Sequence, residues 1–577
     1  MSLTSLRAKR SGAWQSTRTV VIAGETTCGL PRRSAHRNDV KRGLRNTLLI
    51  LGVLFILTTC GRREDPNEGL SIFRYNETAG IATLDPIYAK DLPHIWACNQ
   101  LYSSLVALDE KMNVVPRVAR SWDISEDGLT YTFHLRNDVF FHEDTCMPEP
   151  RCVTAEDVRY SFNRVVDKRL SSPGAWIFSS VAHENGDYAF NALDDSTFQI
   201  RLSQPFPPFL GILSMTYASI VPKEAVDYYG DAFRRHPVGT GPFRFQYWNE
   251  TVKLVFRKNP NYFEKDAQGN RLPYLDAVSI SFLIDRQVAF LEFVKGKFDF
   301  MSGIDARYKD ELLTYDGTLR KKYEDKITII TGPYLNTEYL CFYLDPADSL
   351  GVKRARAMRQ AVNYCIDRDK MLRYLRNGIG IEGTGGMIPV GLPGHRDGIG
   401  YDYDLKKAQQ LVKDNHLEGY PLHLSTTAEY ADIGKFVQSQ VEEVGIKCTM
   451  EVVPPATLRS MRSNGSLQFY RASWVADYPD AENYLSLFTT ANFSPDGPNY
   501  SHYSDPRFDR LYAKAMACND AEERGRYYAE MDSLMMTDAP VVVLFYDEVL
   551  RFAGKRVQGL GHNPTNLLDL RHVTIEP

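Results

Sequence analysis

From residue 70 onward, apolar residues recur with two periods, and the chain switches between them repeatedly. Thr130 to Leu135 (TYTFHL) alternates, as do Val252, Leu254 and Phe256, which predicts half-buried strands. Thr154-Ala-Glu-Asp157 reads as an N-cap with an acidic first turn, and Val158, Phe162 and Val165 follow at helical spacing. Met358, Val362 and Cys365 share one helical face. Asp367 caps the next helix, with Met371, Leu372 and Leu375 inward and Gly378 as its stop. Ile433, Phe436, Val437, Val441 and Val444 form another stripe, closed by Gly445. Ile446, Cys448, Met450 and Val452 then alternate as a strand. Phe508, Leu511, Tyr512 and Ala515 mark a late helix, and Val541 to Phe545 a buried strand. A helix, a short glycine turn and a strand form an α/β signature.

One stretch falls outside both periods. Residues 48–57 (LLILGVLFIL) are wholly apolar. Ten residues span about 15 Å as a helix, half a bilayer core. This is the length of a signal-peptide core, and Lys41, Arg42 and Arg45 precede it as the positive segment. Leu57-Thr58-Thr59-Cys60 follows and resembles the lipobox of bacterial lipoproteins, in which the Cys is acylated and becomes the new N-terminus. A plain cleaved signal with an incidental Cys is the alternative. Residues 1–39 are Arg/Ser-rich without a periodic apolar face, as expected of an over-extended gene start or of an unexplained extension. Residues 1–59 are therefore read as a leader outside the fold.

Charge separates the same two parts. The chain of 577 residues carries a formal −4, but residues 1–59 hold ten Lys/Arg and two Asp/Glu, so the remainder carries −12. An acidic body has no excess of cations to neutralise phosphates, which argues against a nucleic-acid partner. The length predicts two or three domains. With 24% charged and 43% hydrophobic residues, disorder and collagen-like fibres are excluded. Beyond the leader and Cys60, seven cysteines remain and form no CxxC. Cys146 and Cys152 bracket a short loop; a disulfide there in an oxidising compartment and two free thiols are equally compatible with the spacing.

Catalytic motifs are missing. There is no GxSxG, HExxH or Walker A pattern, and the 12 His show no ligand spacing. Gly378-Ile-Gly380-Ile-Glu-Gly383 matches GxGxxG literally, but it follows a helix instead of joining a strand to one, and reads as a loop. The expectation is a protein that is not an enzyme, with no catalytic residue, metal or cofactor.

Several short motifs then stand in order: Thr83-Leu-Asp-Pro86, Leu101-Tyr-Ser-Ser-Leu-Val106, Val115-Pro-Arg-Val-Ala119, Asp127-Gly-Leu-Thr-Tyr-Thr-Phe-His-Leu-Arg136, Val153-Thr-Ala-Glu-Asp-Val158, Val238-Gly-Thr-Gly-Pro-Phe243, Arg257-Lys-Asn-Pro-Asn-Tyr262, Arg359-Gln-Ala-Val-Asn363, Trp474-Val-Ala-Asp-Tyr478 and His502-Tyr-Ser-Asp-Pro-Arg-Phe-Asp509. The series resembles the extracellular solute-binding proteins of family 5, the peptide and oligopeptide receptors of ABC importers, over residues 70–577. The resemblance implies an α/β, two-lobed periplasmic-binding-protein-like fold with a hinge and an extra domain on the first lobe. Lobe I would take 70–112, 219–333 and 535–577, the extra domain 113–218, and lobe II 334–534, with hinge crossovers near 333 and 534.

It also implies a function: a monomeric, lipid-anchored receptor at the periplasmic or cell-envelope side of the membrane. The receptor would capture peptides between its lobes and hand them to ABC permease subunits. The same scaffold could hold a metal chelate, haem or an oligosaccharide, or serve as a secreted enzyme or a sensor lipoprotein. Carried over by position, Asp477 pairs with the peptide α-ammonium and Arg471 with its carboxylate. Trp474 and Tyr478 line side-chain pockets. Ile81, Ala82 and Thr83 present backbone to the ligand. Gly239 and Gly241 read as backbone turns.

Overall fold

A computed structural model describes residues 69–303, 309–344 and 349–576. Cys60 and the apolar run before it lie outside the described residues. Ten strands of one large mixed sheet organise the body. They are β1 (Ile72–Asn76), β2 (Phe243–Asn249), β3 (Lys253–Lys258), β4 (Ala277–Ser281), β5 (Phe300–Ser302), β6 (Ile327–Phe342), β7 (Pro421–Thr426), β8 (Lys447–Val452), β9 (Phe469–Val475) and β10 (Val541–Gly554). Their spatial order is β2-β3-β4-β1-β5-β10-β6-β9-β7-β8, and a short eleventh strand, Ile381–Glu382, pairs with β10.

The two halves of this sheet have a common logic. On one side β1 runs parallel to β4 and β5. On the other β7 runs parallel to β8 and β9. Ligand sites in such sheets lie beyond the carboxyl ends of parallel strands. Here those ends are the segments after Asn76, Thr426, Val452 and Val475. The long antiparallel pair β6 and β10 joins the halves. Its register is interrupted between Pro333 and Thr337 and resumes opposite Tyr546, which leaves Tyr334, Leu335 and Asn336 outside regular pairing opposite Asp547.

A separate four-stranded antiparallel sheet lies between β1 and β2 in sequence, in the order Ala119–Ile124, Thr130–Leu135, Thr197–Arg201, Phe190–Asp194. The helix Ala155–Val166 covers it with Val158, Phe162 and Val165 buried. Asp157 accepts the Thr154 N–H (2.8 Å) and a bidentate pair from Arg151 (2.7 Å each), closing the first turn.

Periodicity placed these elements closely. Thr130–Leu135, Gly351–Cys365, Arg368–Arg376, Ala431–Glu443, Lys447–Val452 and Pro506–Met516 all lie where the apolar pattern predicts them. Two details differ. The helix Arg368–Arg376 ends at Asn377, whose φ of 54° makes it the left-handed cap, one residue before Gly378. Gly239 and Gly241, read as backbone turns, lie at the bend before β2 without positive φ, so left-handed torsion is not what calls for glycine there. They are close-approach positions, packed against the end of the helix Leu92–Leu101. Cys146 and Cys152 are both free thiols, so the disulfide is not formed. The Cys152 Sγ donates to the Asn137 carbonyl (3.1 Å), and burial pushes the Cys146 thiol up to about 12.

Candidate functional site

The Thr-Leu-Asp-Pro motif is a brace for the loop after β1. Asp85 caps the turn Pro86–Tyr88 through the Ile87 N–H and receives a bidentate pair from Arg164 of the covering helix (2.8 and 2.5 Å). Thr83 Oγ1 accepts the Asp85 N–H (3.0 Å). Ile81 is buried, Thr83 half-buried and Ala82 exposed. The Ala82 N–H donates to His94 Nε2 (3.0 Å), and His94 is held in turn by Asp91. The Ala82 carbonyl accepts from Arg234 (2.9 Å). This segment is fixed by side chains and not by a strand, which leaves backbone groups at the open end of β1.

Asp477 lies just past the carboxyl end of β9. Asn483 positions it: the Asn483 Oδ1 accepts both the Trp474 indole N–H (2.7 Å) and the Asp477 N–H (3.3 Å). Asp477 is exposed to solvent, yet the protein mass around it lifts its carboxyl above the ordinary value, with Asn483 pulling the other way. Among the described residues it has no cationic partner within salt-bridge distance.

The Tyr217 hydroxyl, pushed up to about 12 by burial, also feels the charges of Asp477 and of Asp91, the residue that holds His94 against Ala82. Tyr478 is buried, donates its hydroxyl to Glu482 and lies with its ring 6.2 Å from that of Trp176. It thus underpins the wall from behind. Trp474 is half-buried, packed on the cluster that contains Tyr339 and Tyr484.

Arg471 is engaged. It sits diagonally across β6 from Glu338, since Thr337 faces Trp474 and Leu340 faces Arg471. Its Nε and Nη2 donate to the two Glu338 oxygens at 2.5 and 2.6 Å. Its guanidinium carbon lies 3.5 Å from the Tyr430 ring centroid. Glu338, Asn483 and the Asp91–His94 pair were not singled out from sequence. Glu338 left a trace: it is an acid standing directly before the apolar and aromatic run Tyr339-Leu-Cys-Phe342.

A sequence model described as "Bacterial extracellular solute-binding proteins, family 5 Middle" matches residues 113–496. The dipeptide-binding protein of Escherichia coli (strain K12) is 26% identical over 502 residues, 82% of this chain and 89% of that protein. HbpA2 from Haemophilus parasuis superimposes with a TM-score of 0.78 at 23% identity, covering 88% of this chain and all of that one (100%). DppA from Helicobacter pylori, solved in complex with the peptide STSA, gives 0.64 at 26% identity over 88% of this chain and 98% of that one. The two-lobed fold is shared with these binding proteins. Among the described residues, no helix is long and apolar enough to cross a membrane.

Proposed function

We propose, from the premise that this chain belongs to the bacterial extracellular solute-binding proteins of family 5, that it captures peptides between its two lobes and delivers them to an ABC permease. The observation that carries the reading is Asp477: a solvent-exposed carboxylate just past the carboxyl end of β9, its backbone held by Asn483, with no cationic partner among the described residues. A peptide α-ammonium supplies that cation. The Ala82 N–H and carbonyl are taken by His94 and Arg234, so it is the backbone of Ile81 and Thr83 on either side that is offered to an extended ligand, which gives affinity without reading side chains. A ligand that satisfies both lobes together favours closure, and the interrupted register of β6 and β10 is where bending costs least. The names of relatives that bind dipeptides and the peptide STSA support the same ligand class.

The test is native mass spectrometry of the purified protein against equimolar tripeptide pools, one with free and one with acetylated amino ends. Bound mass is expected with the first pool and a loss of at least tenfold with the second. Equal retention of both pools would remove the ammonium from the recognition.

Cys60 is proposed as the acylated residue that anchors the receptor at the cell envelope, since two or more chains give a stable hold where one does not. Cys60→Ala is expected to move the protein from the membrane fraction to the soluble fraction. Unchanged fractionation would refute the anchor.

A further inference from the structure

Two arginines reach the paired strands β6 and β10, Arg471 on β9 and Arg376 at the end of the helix Arg368–Arg376. Each is already matched. Arg376 pairs with Asp547 at the interruption of β10 (2.5 Å) and lies over the Phe545 ring at 4.2 Å. Asp547 also accepts from Asn336 (2.5 Å). Arg471 is paired bidentately to Glu338, whose side chain is 1% exposed, while that of Arg471 is 15% exposed. The carboxylate that is not matched is Asp477. Among these groups Asp477 is open to a ligand cation, and neither arginine is open to a ligand anion.

A ligand carboxylate could take Arg471 bidentately only by displacing Glu338. That would strand a buried carboxylate between β9 and β10, a change that lowers affinity by about 100-fold or more. Sharing the guanidinium through its remaining edge would set two carboxylates around one cation, with Asp547 adding to the repulsion felt by Glu338. The stack on Tyr430 further fixes the guanidinium plane where Glu338 holds it.

We propose that Glu338 is a specificity-determining residue: by occupying Arg471 it removes the ligand carboxylate from recognition, so the cleft selects the amino end of a peptide and accepts its other end free, amidated or extended. This rests on the peptide reading of the same cleft. The class of ligand it names is peptides with a free amino end and no requirement at the carboxyl end.

The experiment compares equimolar tripeptide pools as free acids and as C-terminal amides, in competition for the purified protein and read by native mass spectrometry. Retention of the two pools within about threefold is expected, whereas a free-acid preference of tenfold or more would overturn the proposal. Glu338→Gln removes the competing charge, and a new free-acid preference of about tenfold is expected; an unchanged ratio would count against the proposal. If that variant does not fold, Arg471→Gln serves instead. It is expected to leave the acid-to-amide ratio as it is, and a loss confined to the acid pool would show that Arg471 does hold the carboxylate. The acetylated pool reads Asp477 alone, so failure there sinks the ammonium reading while the acid-to-amide ratio still reports on Glu338. Binding by none of the pools would remove the peptide reading and this proposal together.

Discussion

Asp477→Asn is expected to weaken binding of peptides with a free amino end by about 2–5 kcal/mol, the range for removing one member of a desolvated charge pair. The substitution is nearly isosteric, and Asn keeps an acceptor for the ligand N–H groups. What it removes is the charge. Asn483 still receives the Asp477 backbone N–H and the Trp474 indole, so the wall keeps its shape. Thermal stability should therefore stay close to that of the parent while affinity falls, and N-acetylated peptides should bind parent and variant alike. The same group sets the pH dependence. Its carboxyl lies above the ordinary value because the protein mass around it disfavours the ionised form, although the side chain reaches solvent. An ammonium ligand binds the ionised form, so capture at low pH must first release a proton. Affinity is expected to fall as pH drops below that raised value, toward a tenfold loss per pH unit, and the Asn variant should show no such slope. Isothermal titration with one bound peptide at several pH values measures both effects. A parallel slope in parent and variant would place the titrating group elsewhere.

How much of this was readable from the chain differs between scaffold and site. Elements with an apolar stripe of one period came out where the stripe puts them, because burial of that face is what stabilises them. Thr154 to Asp157 worked because a capping box is local chemistry. The stop after Arg376 was misplaced by one residue, since Asn tolerates the left-handed region nearly as well as Gly. The site was harder. Asp477, Arg471 and Trp474 stand within seven residues of each other and are named by a motif. What each does depends on partners far away in sequence: Glu338 is 133 residues from Arg471. Neither composition nor period carries that pairing, and without it Arg471 reads as a free cation. Tyr478 shows the same limit, because alternation does not say which aromatic faces the cleft and which braces it through Glu482.

Gly241→Ala is expected to destabilise the fold by at least about 3 kcal/mol, the upper part of the range for overpacking a core. A Cβ at Gly241 would lie 2.4 Å from Leu101 C, 2.6 Å from Gln100 O and 2.7 Å from Tyr102 N. All three are backbone atoms at the end of the helix Leu92–Leu101, so no side chain can swing away to make room. The contact is close because the Gly241 N–H donates to the Leu101 carbonyl (2.9 Å). The Gly241 carbonyl in turn takes the Asn259 amide (3.0 Å) and His142 Nε2 (3.0 Å). His142 is buried, which lowers it to about 4 and keeps it neutral, so this junction carries no charge to repel or relax. Relief requires moving the helix as a body. That helix begins beside Asp91 and carries His94, whose ring accepts the Ala82 N–H. A shift at Leu101 is thus carried to the Ile81 to Thr83 segment proposed to meet the ligand, and peptide affinity should fall along with stability. Gly561→Ala is the control: nothing lies within 4 Å of its Cβ, and a change within about 0.5 kcal/mol is expected. Denaturant unfolding of the two variants gives the stability difference. Equal stability would mean that the helix end yields freely, and that the Val-Gly-Thr-Gly-Pro-Phe segment does not set the position of the loop after β1.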